Sequence, residues 1–561
     1  MEEKKKKKSL KIVLIVVIAV ILVLAAIAGT IYLTGRDKTD EDESNTSKMQ
    51  EDDEDDDIDI IPEDQVSSNE LSEFDLEFLK IENEEENKIY SPLSIKYALK
   101  MLEEGASGKT KKQIEKVIGE YDFKDYITSK EISFANGLFV RDSFKDEIKE
   151  SYVDALKEKY DADVKYDSFE SSTNINDWIK TKTLDIISQI VADSDLKNLN
   201  FALINALAID LDWEDKFIHR EEGTGYASYR STEYLHEKKA SDSDYYEFID
   251  VYDVTQVDEE KFNGVDGELD VAGMHIEATI NNYDIINELG EENIKNTVSE
   301  EYTKFAKGKE YDTEHAGGDF PLSEDTSDEG IKEALDDFLP TYISELKSNY
   351  HKIGKTTDFS IYTDDDVKVF AKDLKKSNGT TLQYIAIMPT DEELDKFIDE
   401  VDVDTISEYI SNLKTLDNDN FKDGVVTRIT GYIPKFKFEY NLDLMGDLKE
   451  LGIVDVFDSE KADLSNMIEN TSSYISTALH KANIEFTEDG IKAAAVTLMG
   501  GLGAGSPFDY YFDVPVEEID MTFDNPYMFL IRDKETGETW FAGTVYEPLS
   551  WEDEPSNNYN Y

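Results

Sequence analysis

Apolar positions recur with helical or strand periods along most of the chain after residue 68. Apolar residues three or four positions apart predict a helix over 68–82. Residues 87–119 carry a polar turn and then two amphipathic patterns separated by glycine, so we expect two helices there. Thr110 and Gln113 form a capping box for the second of these helices.

Several other stretches have the pattern of strands. Residues 201–217 and 381–389 are apolar runs typical of buried strands, and 480–486 alternate strictly between apolar and polar positions. Two apolar runs near the end, 525–533 and 538–548, are separated by a glycine-containing turn and predict a hairpin. Long strands among helices indicate a mixed α+β domain.

The N-terminus has the pattern of a membrane anchor. A basic segment, 1–11, precedes an uncharged apolar stretch, 12–34, which at ~1.5 Å per residue is long enough to cross a ~30 Å bilayer core. The lysines before the stretch predict a cytoplasmic N-terminus, a single-pass signal-anchor helix and an extracellular C-terminal domain at the cell membrane. The alternative is a signal peptide cleaved near Ala28, which would give a secreted protein.

Polar segments flank the apolar patterns at both ends of the domain. Residues 35–67 are rich in acidic residues and almost free of aromatic ones, so we expect a disordered, charge-extended linker. Residues 549–561 predict a polar C-terminal tail.

Composition excludes several classes of function. The chain has 58 Lys and Arg against 126 Asp and Glu, a net charge of -68, which repels nucleic-acid phosphates. It has no cysteine, and its six histidines are scattered, so we expect neither a metal site nor a cofactor. Nucleic acid is therefore excluded as a partner.

Three short motifs suggest ligand binding but lack an essential residue. The sequence GASGKT resembles a phosphate loop, but Glu103 stands where its first glycine should be. Residues 500–505 lack the dinucleotide-loop spacing, and 417–424 have Lys422 where a calcium loop needs glycine. Nothing in the sequence argues for an enzyme.

Six segments, in this order, resemble the serpin family over about residues 70–548. They are SPLSIKYALKMLEEGASGKT, NALAIDLDW, IPKFKFEYNLDLMGDLKELGIVDVF, ADLSNM, LHKANIEFTEDGIKAAAVT and FDNPYMFLIRD. The resemblance implies a serpin-like α+β fold, with three β-sheets surrounded by helices and an exposed reactive-centre loop. It assigns 68–548 to the serpin domain, 219–355 to an enlarged region of unknown role, and 488–522 to the hinge and reactive loop.

The resemblance also implies a function. A serpin is a suicide inhibitor of extracellular serine proteases, with cysteine proteases as a second target class. The protease cleaves the reactive loop, and the freed strand inserts into the main sheet and distorts the acyl-enzyme. We expect a monomer. The alternative is a non-inhibitory serpin that serves as a surface binding or scaffold protein through 219–355.

The resemblance assigns the hinge to a run of small residues. Its members are Glu488, Asp489, Gly490, Ile491, Lys492, Ala493, Ala494, Ala495, Val496 and Thr497. Small and β-branched residues can slide between packed strands, whereas an inward charge would be costly to bury. Ile491 is larger than the usual residue, and Lys492 should point to solvent. We expect Ala494→Arg to turn the inhibitor into a substrate.

Two further groups of residues match the family. Ser91, Ser94, Asn205 and His480 match the hydrogen-bonded shutter beneath the opening strands. Trp213, Lys435 and Glu488 match the breach, where the loop first enters the sheet. A pair between Lys435 and Glu488 would be broken on insertion.

The family's spacing places the reactive bond between Ala504 and Gly505. Ala504 or Leu502 would suit an elastase-like or subtilisin-like pocket. The segment before Phe523 is longer than usual for a serpin, so cleavage further along stays open. The aromatic residues there, which would suit a chymotrypsin-like pocket, are Phe508, Tyr510, Tyr511 and Phe512.

Overall fold

The computed structural model describes most of the chain after residue 70. The described residues are 71–119, 121, 126, 128–214, 257–318, 320–351, 353, 359–442, 444–470, 473–476, 478, 480–487, 490–491 and 508–553. Among them, none of the helices is both long enough and apolar enough to span a bilayer. The predicted basic segment, anchor helix and acidic linker lie outside the described residues.

The described helices surround the sheets and alternate along the chain with groups of strands. The α-helices are α1 (Glu73–Ile81), α2 (Pro92–Gly105), α3 (Gly108–Ile118), α4 (Glu150–Tyr160), α5 (Thr173–Lys182), α6 (Ile285–Leu289), α7 (Glu291–Ala306), α8 (Asp328–Asn349), α9 (Leu394–Glu400), α10 (Val403–Ser411) and α11 (Leu444–Glu450). Short 3-10 helices cover Asp142–Glu147, Asp195–Asn198, Asn418–Asn420, Asp455–Phe457 and Trp551–Asp553.

The described strands run from β1 near the start of the domain to β20 near its end. They are β1 (Lys88–Tyr90), β2 (Ile132–Arg141), β3 (Asp163–Asp167), β4 (Phe201–Ile209), β5 (Leu211–Asp212), β6 (Val257–Gly264), β7 (Gly267–Asn281), β8 (Ala316–Gly317), β9 (Ser360–Thr363), β10 (Val367–Asp373), β11 (Leu382–Pro389), β12 (Lys414–Thr415), β13 (Val426–Pro434), β14 (Phe436–Leu442), β15 (His480–Phe486), β16 (Gly490–Ile491), β17 (Asp509–Tyr510), β18 (Val516–Asp520), β19 (Tyr527–Asp533) and β20 (Thr539–Val545).

Local sequence signals explain how the first helices begin. Ser72 starts α1 with a capping box, in which its N–H donates to the Asp75 carboxylate at 2.9 Å. Ser91 caps α2 by accepting from the Ser94 N–H at 3.0 Å, and Pro92 fits the first helical position. The helix predicted over 68–82 and the two predicted within 87–119 are therefore confirmed.

The capping box predicted for α3 is wrong. Ser107 precedes the helix as its N-cap. Thr110 instead accepts a hydrogen bond from the Asp463 N–H at 3.0 Å, and Gln113 accepts from the Asp455 N–H at 2.9 Å. Both side chains are used by a segment about 340 residues away, which a local motif cannot reveal.

A seven-stranded sheet forms the centre of the domain, in the order β1-β20-β19-β11-β10-β9-β12. Every residue of β11 and of β20 is buried, as the apolar runs predicted. β19 and β20 pair as the predicted hairpin, and Gly537 supplies the positive φ of 79° in its turn. A four-stranded sheet, β18-β13-β7-β6, packs beside it through a shared apolar cluster.

A third sheet is the one that we expect to accept the cleaved loop, and we call it the main sheet. It consists of two parts. One part has the order β3-β2-β4 and the other β14-β15-β16-β5. β4 and β5 are consecutive in the chain with only Asp210 between them, so they form one interrupted strand that belongs to both parts. With these two parts counted as one sheet, the three predicted sheets are present. A further two-stranded ribbon joins β17 to β8.

The fold also extends beyond the predicted domain boundary at residue 548. The Leu549 N–H donates to the Lys435 carbonyl at 2.8 Å, and the Ala272 N–H donates to the Leu549 carbonyl at 3.1 Å. Ser550 forms a β-bridge with Val271. The first residues assigned to the polar tail are therefore packed against the domain, because their main chain supplies partners that the neighbouring strands need.

Candidate functional site

The two parts of the main sheet face each other across a gap between β4 and β15, which we call the slot. β4 pairs with β2 along one edge, and β15 pairs with β14 along one edge. On the other edge of β15, the pairing recorded among the described residues is Phe486 with Ile491. Among the described residues, no ladder pairs β4 with β15, so two strand edges border the slot, and strand edges of this kind accept an additional strand.

A cavity of about 500 Å³ occupies the slot. Its walls are β4 on one side and β14 and β15 on the other. Its apolar lining comes from Leu207, Ile209, Phe438, Ile484, Ile531 and Phe541, and its charged lining from Asp185, Lys437, Glu439 and Glu485. The Asn483 side chain reaches across the cavity wall and donates to the Ile186 carbonyl at 3.1 Å. The cavity therefore has an apolar part and a charged part, as the two faces of a strand in the slot would require.

One end of the slot is already occupied by β16. Gly490 pairs with Asp212, while Ile491 pairs with Leu211 on one side and with Phe486 on the other. Both pairings are antiparallel, so β16 lies between β15 and β5 as a strand of the same sheet. The first described residues of the predicted hinge thus enter the slot at one end.

Trp213 anchors this end of the slot. Its side chain is fully buried, and its Nε1–H donates to the Thr487 carbonyl at 2.8 Å. Its ring packs edge-on against Phe486, with centroids 5.4 Å apart, and against Tyr384 at 6.0 Å. The indole therefore fixes the point where the chain leaves β15 and turns towards β16.

Of the other two predicted breach residues, the structure describes Lys435. Lys435 is 4% exposed and lies between β13 and β14, where its N–H donates to the Ala272 carbonyl at 2.8 Å. Glu488 lies outside the described residues, so the predicted pair between Lys435 and Glu488 stays a prediction.

The four predicted shutter residues are brought together at the far end of the slot. His480 Nε2 accepts from the Ser91 N–H at 2.9 Å, and the Ser94 hydroxyl donates to the Asn205 side-chain oxygen. The serines belong to the start of α2, Asn205 to β4 and His480 to β15. This cluster therefore links both edges of the slot through one helix start, and Ser94, Asn205 and His480 also line a second cavity of about 150 Å³.

His480 is held neutral by its surroundings. Burial lowers the pKa of its imidazole to about 4, because a charged ring would lose its hydration. A neutral ring can accept the Ser91 N–H at Nε2, whereas an imidazolium would have only donors to offer. The hydrogen bond that ties β15 to α2 therefore requires a pH above the pKa of this histidine.

Asn136 is a member of this cluster that the sequence did not suggest. The Asn205 amide donates to the Asn136 side-chain oxygen at 2.5 Å, and the Asn136 amide donates to the Tyr160 carbonyl at 2.7 Å. Asn136 lies on β2 directly opposite Asn205 on β4. Its only signal in the sequence is a single asparagine within the largely apolar stretch SFANGLFV, and a polar residue in an apolar run is a candidate for a buried hydrogen bond.

The remaining predicted loop residues are only partly described. The hinge residues other than Gly490 and Ile491, and the predicted reactive bond at Ala504 and Gly505, lie outside the described residues. The structure describes the loop again from Phe508, which is fully buried. Tyr510 and Phe512 pack against the apolar cluster that contains α7 and α8.

The sheet topology, the slot and the entering strand define a protein whose main sheet has room for one more strand. Residues 70–230 and 344–548 match the family model described as "Serpin (serine protease inhibitor)". The chain belongs to the serpin family. Residues 231–343 lie between the two matched blocks.

Curated relatives cover most of the chain at low identity. Neuroserpin of Gallus gallus is 24% identical over 491 residues, which cover 84% of this chain and 88% of that protein. Leukocyte elastase inhibitor A of Mus musculus is 29% identical over 232 residues, which cover 40% of this chain and 54% of that protein. These names describe the relatives, and they do not identify a target protease for this chain.

Solved structures share the fold. The thermophilic serpin tengpin in its native state aligns with a TM-score of 0.53 and 22% identity, over 84% of this chain and 92% of that chain. Thyroxine-binding globulin in complex with thyroxine aligns with a TM-score of 0.51 and 17% identity, over 85% and 97% respectively. At these identities the likeness establishes the fold alone.

Proposed function

We propose that the protein is a suicide inhibitor of extracellular serine proteases, and that cysteine proteases are a second target class. The reactive loop is cleaved, an acyl-enzyme forms, and the N-terminal part of the loop inserts into the slot between β4 and β15. The protease is dragged and distorted before it can deacylate. In this account the chain is a protease inhibitor and not an enzyme, and it acts as a monomer.

The slot is the observation that carries the proposal. Main-chain N–H and C=O groups at a strand edge require hydrogen-bond partners, and an inserted strand would supply them to both edges of the slot at once. β16 already lies between β15 and β5, so insertion needs only to extend a strand that exists. The free energy released by that extension is the driving force that the proposed mechanism requires.

A direct experiment is to incubate the full chain with a panel of proteases and look for a complex that survives SDS. Elastase, subtilisin, chymotrypsin and papain cover the pocket types discussed above. We expect a covalent complex with at least one of them, and mass spectrometry of the released peptide locates the reactive bond. The same proteases with a blocked nucleophile are the control, because they cannot form the acyl-enzyme.

The alternative function is that of a non-inhibitory serpin that binds partners at the cell surface. It predicts cleaved protein and fully active protease with every member of the panel. A panel in which each protease cuts the loop and none is trapped would replace the inhibitor proposal by this one.

We further propose that residues 12–34 are retained as a signal anchor, with the serpin domain outside the cell. The domain would then act at the membrane surface, held away from it by the acidic linker 35–67. The intact mass of the mature protein is the test. A mass that includes residues 1–34 supports the anchor, whereas a protein that starts after Ala28 would be secreted.

A further inference from the structure

The helices α7 and α8 enclose an aromatic cluster that includes Phe508 from the C-terminal flank of the reactive loop. Phe508 is 0% exposed. Its ring lies 5.3 Å from the Tyr302 ring and 5.3 Å from the Phe305 ring, both on α7. Ile331, Leu335 and Ile343 of α8 belong to the same buried cluster. Phe508 is therefore a core residue of the helical segment 285–349.

The main chain after Phe508 is held by the same segment. β17 pairs antiparallel with β8, with Asp509 opposite Gly317 and Tyr510 opposite Ala316. The Tyr511 N–H donates to the His315 carbonyl at 2.7 Å. The hydroxyl of Tyr342, on α8, donates to the Tyr510 carbonyl at 2.7 Å.

The His315 side chain adds further contacts between the segment 285–349 and the residues that follow Phe508. The His315 ring stacks on the Tyr510 ring with centroids 6.2 Å apart. His315 also contacts the Asp312 carboxylate at 2.9 Å and the Asp513 carboxylate at 3.4 Å. The segment from Phe508 to Asp513 is therefore fixed by ring packing, by main-chain pairing and by charge.

We propose that the helical segment 285–349 is a clamp on the C-terminal flank of the reactive loop, with Phe508 as its anchor, and that it determines which proteases can use the loop. The clamp withholds the aromatic residues 508–512 from chymotrypsin-like pockets. Attack is thereby restricted to the part of the loop before Phe508. Within the proposed inhibitor function, on which this inference rests, the clamp selects proteases with small or aliphatic primary pockets.

The physical reason is that a protease must bind the same main-chain groups and side chains of the loop that the clamp already binds. A substrate binds as an extended strand, so its N–H and C=O groups must be free to pair with the enzyme and its primary side chain must enter a pocket. The ring of Phe508 is buried, and the main chain of Tyr510 is paired on both the β8 and Tyr342 sides. Tyr511 is 68% exposed, but its neighbours on each side are fixed.

The test is digestion of the full chain with chymotrypsin at a low enzyme ratio, with the cut positions mapped by mass spectrometry over time. We expect wild-type protein to resist cleavage after residues 508–512. Phe508→Ala removes the anchor and should speed cleavage after Tyr511 and Phe512 by about tenfold or more, because proteolysis follows the population of the open form. Tyr342→Phe removes one hydrogen bond and should give a smaller increase in the same direction.

Matched controls separate the clamp from general loosening of the segment. Phe320 is 63% exposed and belongs to the same part of the chain, so Phe320→Ala should leave the cleavage rate unchanged. Tyr350→Phe is the control for loss of a hydroxyl. The unfolding midpoint of each variant shows whether the domain stays folded, and Tyr342→Phe keeps the test valid if Phe508→Ala does not fold.

Two results would overturn the clamp. One is rapid cleavage of wild-type protein after Tyr510, Tyr511 or Phe512, and the other is an equal acceleration in Phe320→Ala. Neither depends on whether the protein traps a protease. A chain that resists chymotrypsin at 508–512 yet forms no SDS-stable complex keeps the clamp and loses the inhibitor function.

Discussion

Ile491 pairs with Leu211 in an antiparallel register, and on its other side it pairs with Phe486. Directly opposite residues in a sheet share a face, and both Leu211 and Phe486 are buried. Position 491 therefore belongs to the core-facing side of the sheet. In a strand that continues this register into the slot, every second position after 491 would face the core.

This register changes which hinge substitution should block insertion. Positions 493 and 495 share the face of 491, so Ala493→Arg or Ala495→Arg would place a charge in the sheet interior at a cost of several kcal/mol. Position 494 falls on the opposite face in this register, so the register and the sequence-based prediction for Ala494→Arg lead to different expectations, and comparing the two variants decides between them. We expect Ala493→Arg to convert the inhibitor into a substrate, measured as the ratio of SDS-stable complex to cleaved protein.

Ala494→Arg becomes the matched control, because it adds the same charge one residue away and towards solvent. It should keep most of the complex yield. Equal loss in Ala493→Arg and Ala494→Arg would mean that the inserted strand does not follow the register set by Ile491.

The buried His480 predicts loss of stability in acid. Its pKa of about 4 lies below the usual value near 6.5, so the neutral ring stabilises the fold fully above about pH 6.5. That contribution falls as the pH drops towards 4, and it amounts to about 3 kcal/mol. Urea unfolding of wild type and His480→Gln at pH 7 and pH 4.5 measures it.

The glutamine keeps an acceptor for the Ser91 N–H but does not titrate, so the variant should lose less stability between the two pH values. His351→Gln, at an exposed position, is the control and should behave like wild type. If His480→Gln loses as much stability as wild type, the imidazole is not the acid-sensitive group.

Asn136 should be as important to the shutter as the residues that the family resemblance identified. Asn136→Ala leaves the Asn205 amide and the Tyr160 carbonyl without the hydrogen bonds they now make. We expect a loss of about 1–3 kcal/mol in the free energy of unfolding. Asn200→Ala, at an exposed position beside β4, should change it by less than about 0.5 kcal/mol. An equal loss of unfolding free energy in the two variants would show that the Asn136 hydrogen bonds do not stabilise the shutter.

The clamp should loosen as the pH rises. The hydrogen bond to Asp312, and then the contact with Asp513, raise the pKa of His315 above its usual value. The contribution of the charged ring is therefore complete below about pH 6.5 and is lost as the pH rises through the raised pKa. Chymotrypsin cleavage after Tyr511 should increase from pH 6 to pH 9, relative to a free peptide of the same sequence.

His315→Gln tests this because it removes the charge at every pH. The variant should be cut faster than wild type at pH 6 and should show little further increase. A wild-type cleavage rate that follows the free peptide across the whole range would contradict a role for the His315 charge.

The sequence predicted those parts of the fold whose signals are local. The alternation of residues 480–486 gives β15, in which His480, Ala482, Ile484 and Phe486 are buried and the residues between them are not fully so. A strand with one buried face leaves this period-two trace in the sequence. The same holds for the uninterrupted apolar run that became β11.

The sequence did not predict features that depend on distant partners. Tyr342 meets Tyr510 across 168 positions, and Asn136 meets Asn205 across 69. The contact of α7 and α8 with Phe508 is of the same kind, since Phe508 is buried in the cluster of these two helices and is distant from both in the sequence. The sequence leaves the aromatic cleavage site open for the same reason, since no residue near Phe508 in the sequence indicates that its ring is buried.

The central claim is that the slot can accept the segment after Ile491 once the loop is cut. The most direct measurement is the thermal unfolding midpoint of the protein before and after a single cleavage within 492–507. Insertion would give partners to both edges of the slot, and we expect the midpoint to rise on the order of 10 °C. A cleaved protein that unfolds at the same temperature as the intact one, or below it, would contradict the account.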